Sequence, residues 1–325
     1  MAYTIKDVAK LAGVSTATVS RTFTAPDRVS PKARQSVLEA AQILNYQPNA
    51  IARSMARQQT ERVAFLICKQ GSGILDEFYA GICKGIMREI NSSDYQLLIS
   101  TADEWAMVKQ KQVDGVILGG QATPGLVSEF QSQNIPIVLV NNEVPGTKLP
   151  CVLNDEEEGV RLAIRHLAGR GHTEIGMIVG RLSPYIYGKR YNAFLKVMEE
   201  LKLPVRSAYI RSADPAVKTA TEAAMELLAM KNPPTAVFGA NDVLATGVIK
   251  AALRMGKRIP DDVAVVGFDD SRICLALEPE MTSVHICKNE MGTRAAKLLL
   301  ELLKDGNTSE DLQVVSPRIV VRDSA

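Results

Sequence analysis

Between Val63 and Phe268 the chain alternates short apolar runs with stretches of helical period, and this alternation restricts the fold more than any other feature. The runs are VAFLIC from Val63, YQLLIS from Tyr95, VDGVIL from Val113 and PIVLV from Pro136. A second set follows with EIGMIV from Glu174, SAYIR from Ser207, TAVFGA from Thr235 and VAVVGF from Val263. Amphipathic stretches such as GVRLAIRHLAGRG and ATEAAMELLAM lie between them. Apolar strands separated by helices fit parallel sheets covered on both faces. Two sets of about four or five strands each predict two lobes. Ligands in open α/β sheets bind at the carboxyl ends of strands, so facing lobes create a cleft there. One connection is short: only ADEWAMVKQKQ, with the sole tryptophan Trp105, separates Thr101 from Val113. That barely reaches the length of about 10–12 residues that a parallel crossover needs.

The first 60 residues read differently. They hold eight Lys or Arg against three Asp or Glu, whereas the remainder holds 30 basic and 33 acidic residues. A basic head on a slightly acidic body points to a polyanionic partner. Thr4 and Asp7 offer an acidic capping box before the helical spacing of Ile5, Val8, Ala9 and Ala12. Gly13 suits the left-handed turn that ends this helix, and Val14 plugs the corner. Ser15 then caps a second helix from Thr16 to about Phe23, with Val19 inward. After the turn residues Pro26 and Asp27, Ser30 caps a third helix with Pro31 at its first position. Leu38, Ala41 and Leu44 are its expected inner face. The pattern is a helix-turn-helix.

The second helix carries the chemistry. Thr16, Ala17 and Thr18 are small enough to let it enter a major groove, and their methyl groups can meet a thymine methyl. Arg21, one turn later, can reach guanine O6 and N7, hold a phosphate, or be spent in an internal salt bridge. Thr4, Ser15 and Ser20 complete the candidate DNA-facing set of the head. Beyond Tyr46, Ile51 and Met55 stand four residues apart, which puts them on one face of any helix formed there. Arg53 and Arg57 are then available to phosphates. So short a helix is marginal alone and would gain from folding on DNA.

TIKDVAKLAGVSTATVSRTF followed by YQPNAIARSMA resembles the lactose-repressor (LacI/GalR) family. The resemblance continues through LNDEEEGVRLAIRHLAGRGHTEIGMIVG, GKRYNAF, AVFGANDVLATGVIKAAL, IPDDVAVVGFDDS and RIVVRDS. It implies a helix-turn-helix domain over 1–47, a hinge helix or linker over 48–60, and an effector-binding and dimerisation domain of two lobes over 61–325. The body is then similar to periplasmic sugar-binding proteins. By the family pattern the hinge runs from about Asn49 to Arg57, with Asn49, Ala52, Arg53, Met55 and Ala56 facing DNA. Met55 takes the position where the family carries a leucine that wedges between base pairs. The connection holding Trp105 is shorter than the family's usual one.

The resemblance also implies an effector site of Arg190, Asn241 and Asp269, which would grip ligand hydroxyls, with Tyr79 against a ring. A fork donor, an amide and a carboxylate suit sugars, sugar acids and nucleosides. Each position has a plainer reading. Arg190 and Asp269 can pair with each other across the cleft, Asn241 can simply cap a helix, and Tyr79 can be packing. Tyr185 and Tyr187 are expected in a loop that borders the cleft.

Enzyme motifs are missing. The sequence has no GxxxxGK[ST] loop, GxSxG elbow or HExxH pair, so neither catalytic residues nor a cofactor are expected. His166, His172 and His285 are too dispersed to predict a metal site, and His172 reads as a turn residue. The five cysteines (Cys68, Cys83, Cys151, Cys274, Cys287) form no CxxC pair and read as reduced thiols. No apolar run reaches the roughly 18 residues of a membrane helix, and the N-terminus lacks a secretion signal's apolar core. The expectation is a cytoplasmic homodimer that binds double-stranded operator DNA and a small sugar-like or nucleoside-like effector. Without an apolar heptad tail after RDSA, a tetramer is not expected. Two alternatives stay open: a regulator that answers to a partner protein, and a solute-binding protein with no DNA role.

Overall fold

The computed structural model describes residues 3–24, 26–46, 59–68, 77–101, 112–181 and 185–325. Three helices form the head: α1 (Ile5–Ala12), α2 (Thr16–Thr24) and α3 (Pro31–Ile43). Asp7 accepts hydrogen bonds from the Thr4 amide (2.8 Å) and hydroxyl (2.7 Å), which closes the first turn of α1. Gly13 takes φ +66° and returns its N–H to the Ala9 carbonyl, as an αL cap requires. Val8, Val19 and Val37 are fully buried between the helices, with Ala9, Ala40 and Ala41 around them. Burying each of these valines contributes about 1.5–3 kcal/mol. The inner face of α3 is thus Val37, Ala40 and Ala41, with Leu44 half-buried. The expected Leu38 lies 40% exposed, because the phase of a helix starting at Pro31 turns it outward.

The first sheet has the order β11-β5-β4-β3-β1-β2, built from β1 (Arg62–Cys68), β2 (Gln96–Thr101), β3 (Gly115–Gly120), β4 (Ile137–Val140), β5 (Cys151–Asn154) and β11 (Leu312–Val315). All its pairs are parallel. The second sheet, β12-β10-β9-β8-β6-β7, contains β6 (Ile175–Val179), β7 (Ile210–Ser212), β8 (Ala236–Gly239), β9 (Ala264–Asp269), β10 (Thr282–His285) and β12 (Arg318–Val320). It is parallel except at its edge, where β12 runs antiparallel to β10. The expected strand at Ser207 is a 3-10 turn over Ser207–Tyr209 before β7, and the Tyr209 hydroxyl anchors it by donating to the Asn232 carbonyl at 2.7 Å.

Helices α4 (Glu77–Ile90) and α5 (Pro124–Ser132) belong to the first lobe. Helices α6 (Glu156–Gly169), α7 (Tyr185–Glu200), α8 (Val217–Leu228) and α9 (Asp242–Arg254) flank the second sheet, and α10 (Lys288–Asp305) returns to the first lobe. There it crosses α4 at two glycines. A Cβ on Gly85 would overlap the Asn289 carbonyl oxygen and lie 2.9 Å from its carbon. A Cβ on Gly292 would meet the Ile82 carbonyl in the same way. The chain therefore passes between lobes three times, from β5 to α6, from β10 to α10 and from β11 to β12. These three passages form the hinge segment that joins the two lobes.

Candidate functional site

In the head, Ser15 just before α2 and Thr16, Ala17 and Arg21 on it are exposed, while Thr18 and Ser20 are half-buried and Val19 faces the core. Ser15 caps the helix by accepting from the Thr18 amide at 3.1 Å, and its hydroxyl also meets that of Thr18 at 2.9 Å. The Thr18 hydroxyl is thus engaged by Ser15. Among the described residues Arg21 has no ion-pair partner. Thr4 is occupied with Asp7, whose carboxyl is held below the usual range mainly by the Thr4 amide. Asn49, Ala52, Arg53, Met55 and Ala56 lie outside the described residues, as does the connection around Trp105.

In the body, the carboxyl ends of β8 and β9 meet the first turn of α6 and the second turn of α7 around one guanidinium. Arg190, on the second turn of α7 and only 3% exposed, donates from Nε to Glu156 Oε2 at 2.6 Å. Its Nη1 donates to the Ala240 carbonyl at 2.6 Å and its Nη2 to Asp269 Oδ1 at 3.2 Å. The Phe268 ring lies beneath it, 3.8 Å from Cζ to the centroid. Burial works against the charge of Arg190, but the two carboxylates outweigh it and keep the guanidinium protonated. Asp269 ends β9 at φ +106°. Burial pushes its carboxyl up to about 7, against the pull of Arg190 and with further help from Asp242. Asp242, also raised by burial, accepts from Ser283 Oγ (2.6 Å) and from the Ser271 amide (2.6 Å) and hydroxyl (2.7 Å).

Arg190 and Asp269 are therefore brought together, within the second lobe rather than across the cleft. Asn241 caps α9 by accepting from the Leu244 amide at 2.9 Å, and its Nδ2 donates to the Tyr187 hydroxyl at 3.0 Å. It combines the capping role with a second contact to Tyr187. Tyr79 stands apart on the inner face of α4. It is 8% exposed and packed edge-on against Phe78, with ring centroids 5.4 Å apart. Tyr185 and Tyr187, expected in a loop, instead open α7; Tyr187 packs against Gly180, and the side chain of Tyr185 lies outside the described residues. His172 sits in the turn before β6, where its Nδ1 meets Thr235 Oγ1 at 3.0 Å.

Residues 4–49 match the family model described as "Bacterial regulatory proteins, lacI family", and residues 164–325 match that of the "Periplasmic binding protein-like domain". The HTH-type transcriptional repressor PurR of Actinobacillus pleuropneumoniae serotype 3 is 33% identical over 99% of this chain and 98% of its own. The chain belongs to the LacI family. The Bacillus subtilis protein named "Probable HTH-type transcriptional repressor ExuR" is 30% identical, again over 99% of this chain and 98% of its own. Among solved structures, a complex of the transcriptional regulator CelR with cellobiose matches with TM-score 0.74 and 28% identity, over 99% of this chain and 100% of that one. The Lac repressor dimer bound to operator and the anti-inducer ONPF shares the fold, with TM-score 0.84 and 24% identity over 100% of this chain and 99% of that one. The protein is thus a LacI-family transcriptional repressor with a helix-turn-helix DNA-binding domain and a ligand-binding domain, and not an enzyme. Among the described residues no helix is long and apolar enough to cross a membrane.

Several residues of this LacI-family body escape a reading of the sequence. Glu156 is hidden in a run of three glutamates that looks like ordinary acidic helix-start chemistry, yet it alone of the three is buried, at 7%. Lys288 opens α10 and crosses from the first lobe to donate from Nζ to the Asp269 carbonyl. Asp270 binds Arg322 (2.7 Å) and His285 (2.8 Å), joining β9, β10 and the C-terminal segment beside the hinge. The only sequence signal for these was the FDDS motif, which marks its acids without naming their partners.

Proposed function

We propose that this repressor binds a palindromic operator as a homodimer and that a small hydroxyl-rich effector docks between the lobes on Arg190, Asn241 and Asp269. The division of labour follows the chain: 1–47 read DNA, 48–60 form the hinge segment, and 61–325 bind effector and pair with a second copy. In the head, Thr16, Ala17, Thr18 and Arg21 enter the major groove, and Met55 wedges the centre of the operator. Dimer symmetry matches half-site symmetry.

The observation that carries the effector reading is the Arg190–Glu156–Asp269 cluster. A guanidinium held by the buried Glu156, the half-buried Asp269 and a carbonyl presents Asp269 in a defined orientation at the strand ends, which lowers the entropy cost of binding. A sugar or ribose hydroxyl donates to such a carboxylate, and sugar acids and nucleosides present the same groups. Lys288 ties the Asp269 backbone to the other lobe, so an effector that moves Asp269 biases the lobe angle and the spacing of the two hinges.

A thermal-shift screen of the full chain against sugars, sugar acids, sugar phosphates and nucleosides tests this. A ligand at about 100 times its Kd adds roughly 2.7 kcal/mol of stability. The hit should also change operator affinity, and Asp269→Ala should abolish both effects while the protein stays folded. A variant that still responds normally places the effector elsewhere.

A further inference from the structure

A second cavity among the described residues is lined by none of Arg190, Glu156, Asn241 and Asp269. It measures about 710 Å³ and lies between α4, the start of α10 and the passage from β10 to α10. That volume lies within the range of small-ligand sites, about 300–1,000 Å³. Four permanent cations line it, Lys84, Arg88, Arg272 and Lys288, against two carboxylates, Glu77 and Glu290. Glu290 is spoken for by Arg294, one turn along α10. Glu77 accepts the Arg272 amide at 2.8 Å and stands 4.0 Å from its Nε. The cations are poorly neutralised. Arg88 donates from Nη2 to the Thr293 hydroxyl at 2.9 Å, a neutral partner. Lys288 donates to the Asp269 backbone carbonyl. Lys84 is exposed and has no ion pair among the described residues, and the side chain of Arg272 is 94% exposed. His285 also borders the space, but its Nδ1 is engaged by Asp270.

We infer that this cavity binds a small phosphorylated metabolite, at a site separate from the effector cluster and coupled to it through Lys288. Phosphate supplies the charge the lining lacks and the acceptor oxygens that Arg and Lys donors take. The floor of the cavity belongs to both lobes: α4 and α10 to the first, Arg272 to the second, and the passage from His285 to Lys288 to the hinge itself. An anion held there fixes one lobe arrangement. It also draws on the same ammonium that holds the Asp269 carbonyl, so the two sites share one cation.

The test uses the full chain, with inorganic pyrophosphate as the probe and chloride at matched ionic strength as the reference. Thermal unfolding followed by circular dichroism should show a saturable rise in midpoint with pyrophosphate and none with chloride. The double charge reversal Lys84→Glu with Arg272→Glu changes two exposed side chains outside the effector cluster. It should fold, bind operator as before and lose at least tenfold in pyrophosphate affinity. Three outcomes overturn the inference. One is no saturable rise. Another is a rise that survives the double reversal but vanishes in Arg21→Ala, which places the anion on the DNA-binding head. The third is a double reversal that alters the sedimenting mass, which makes this surface a contact between copies of the chain.

Discussion

Replacing Arg190 with methionine keeps most of the aliphatic volume over Phe268 and removes the guanidinium that joins Glu156, Asp269 and the Ala240 carbonyl. Breaking a buried ion pair by deleting one partner costs about 3–5 kcal/mol, because the remaining charge is stranded in a poor solvent. One of the two carboxyls here has an escape. Asp269 already sits at about 7, so near pH 6 it is mostly protonated and only Glu156 is stranded. The loss should therefore fall toward about 3 kcal/mol at pH 6 and grow toward about 5 kcal/mol at pH 8. For lobes of this size each kcal/mol moves the midpoint by about 2–4 °C, so the drop is about 6–20 °C. Circular-dichroism melts and guanidinium titrations at the two pH values measure it. Adding Glu156→Gln and Asp269→Asn to Arg190→Met removes the stranded charges and should recover at least half of the loss. A single variant that loses less than about 1 kcal/mol at pH 8, or a triple variant as unstable as the single, refutes the assignment of this cluster as a buried charge network.

Asp269→Asn tests the raised carboxyl directly. A folded-state value of about 7, above the ordinary carboxylate value, means the native chain binds the extra proton, so wild-type stability falls as pH rises from about 4 to about 7. The asparagine variant should lack that slope, with its advantage over wild type growing up to about pH 7 and constant beyond; parallel curves from guanidinium unfolding at pH 5, 6, 7 and 8 would contradict it. Arg21→Ala should weaken operator binding by about 1–3 kcal/mol and relax specificity at one base pair, measured by fluorescence anisotropy on operator variants. Equal loss on every sequence assigns Arg21 to a phosphate. Gly85→Ala should cost about 1–3 kcal/mol by prising α10 from α4, whereas Gly169→Ala, where a methyl group meets nothing within 4 Å, should be neutral or slightly stabilising in the same melts.

The head was legible because its determinants are local. The Thr4–Asp7 box, the αL turn at Gly13 and the Ser30–Pro31 helix start each act within a few residues. The phase of α3 was the exception. Leu38 and Val37 differ by one residue and by about 100° of helix rotation, and only packing against Val8 and Val19 decides which turns inward. In the body, the long apolar strands were evident, while β5, β10, β11 and β12 were not. Each has only three or four residues, and β11 pairs with a strand more than 150 positions earlier. No local pattern encodes such a partner.

The candidate site divides along the same line. Composition and motif order determined the fold class, the basic head and the family, because periodicity, caps and turn residues are properties of neighbouring positions. Arg190 and Asp269 were named from the sequence. That they hold each other, that Glu156 rather than Glu157 or Glu158 completes the cluster, and that Lys288 reaches them from the opposite lobe were decided by the tertiary structure. Burial and charge pairing depend on which chain segments meet in space. A carboxylate's proton affinity follows from those neighbours and not from its place in the sequence.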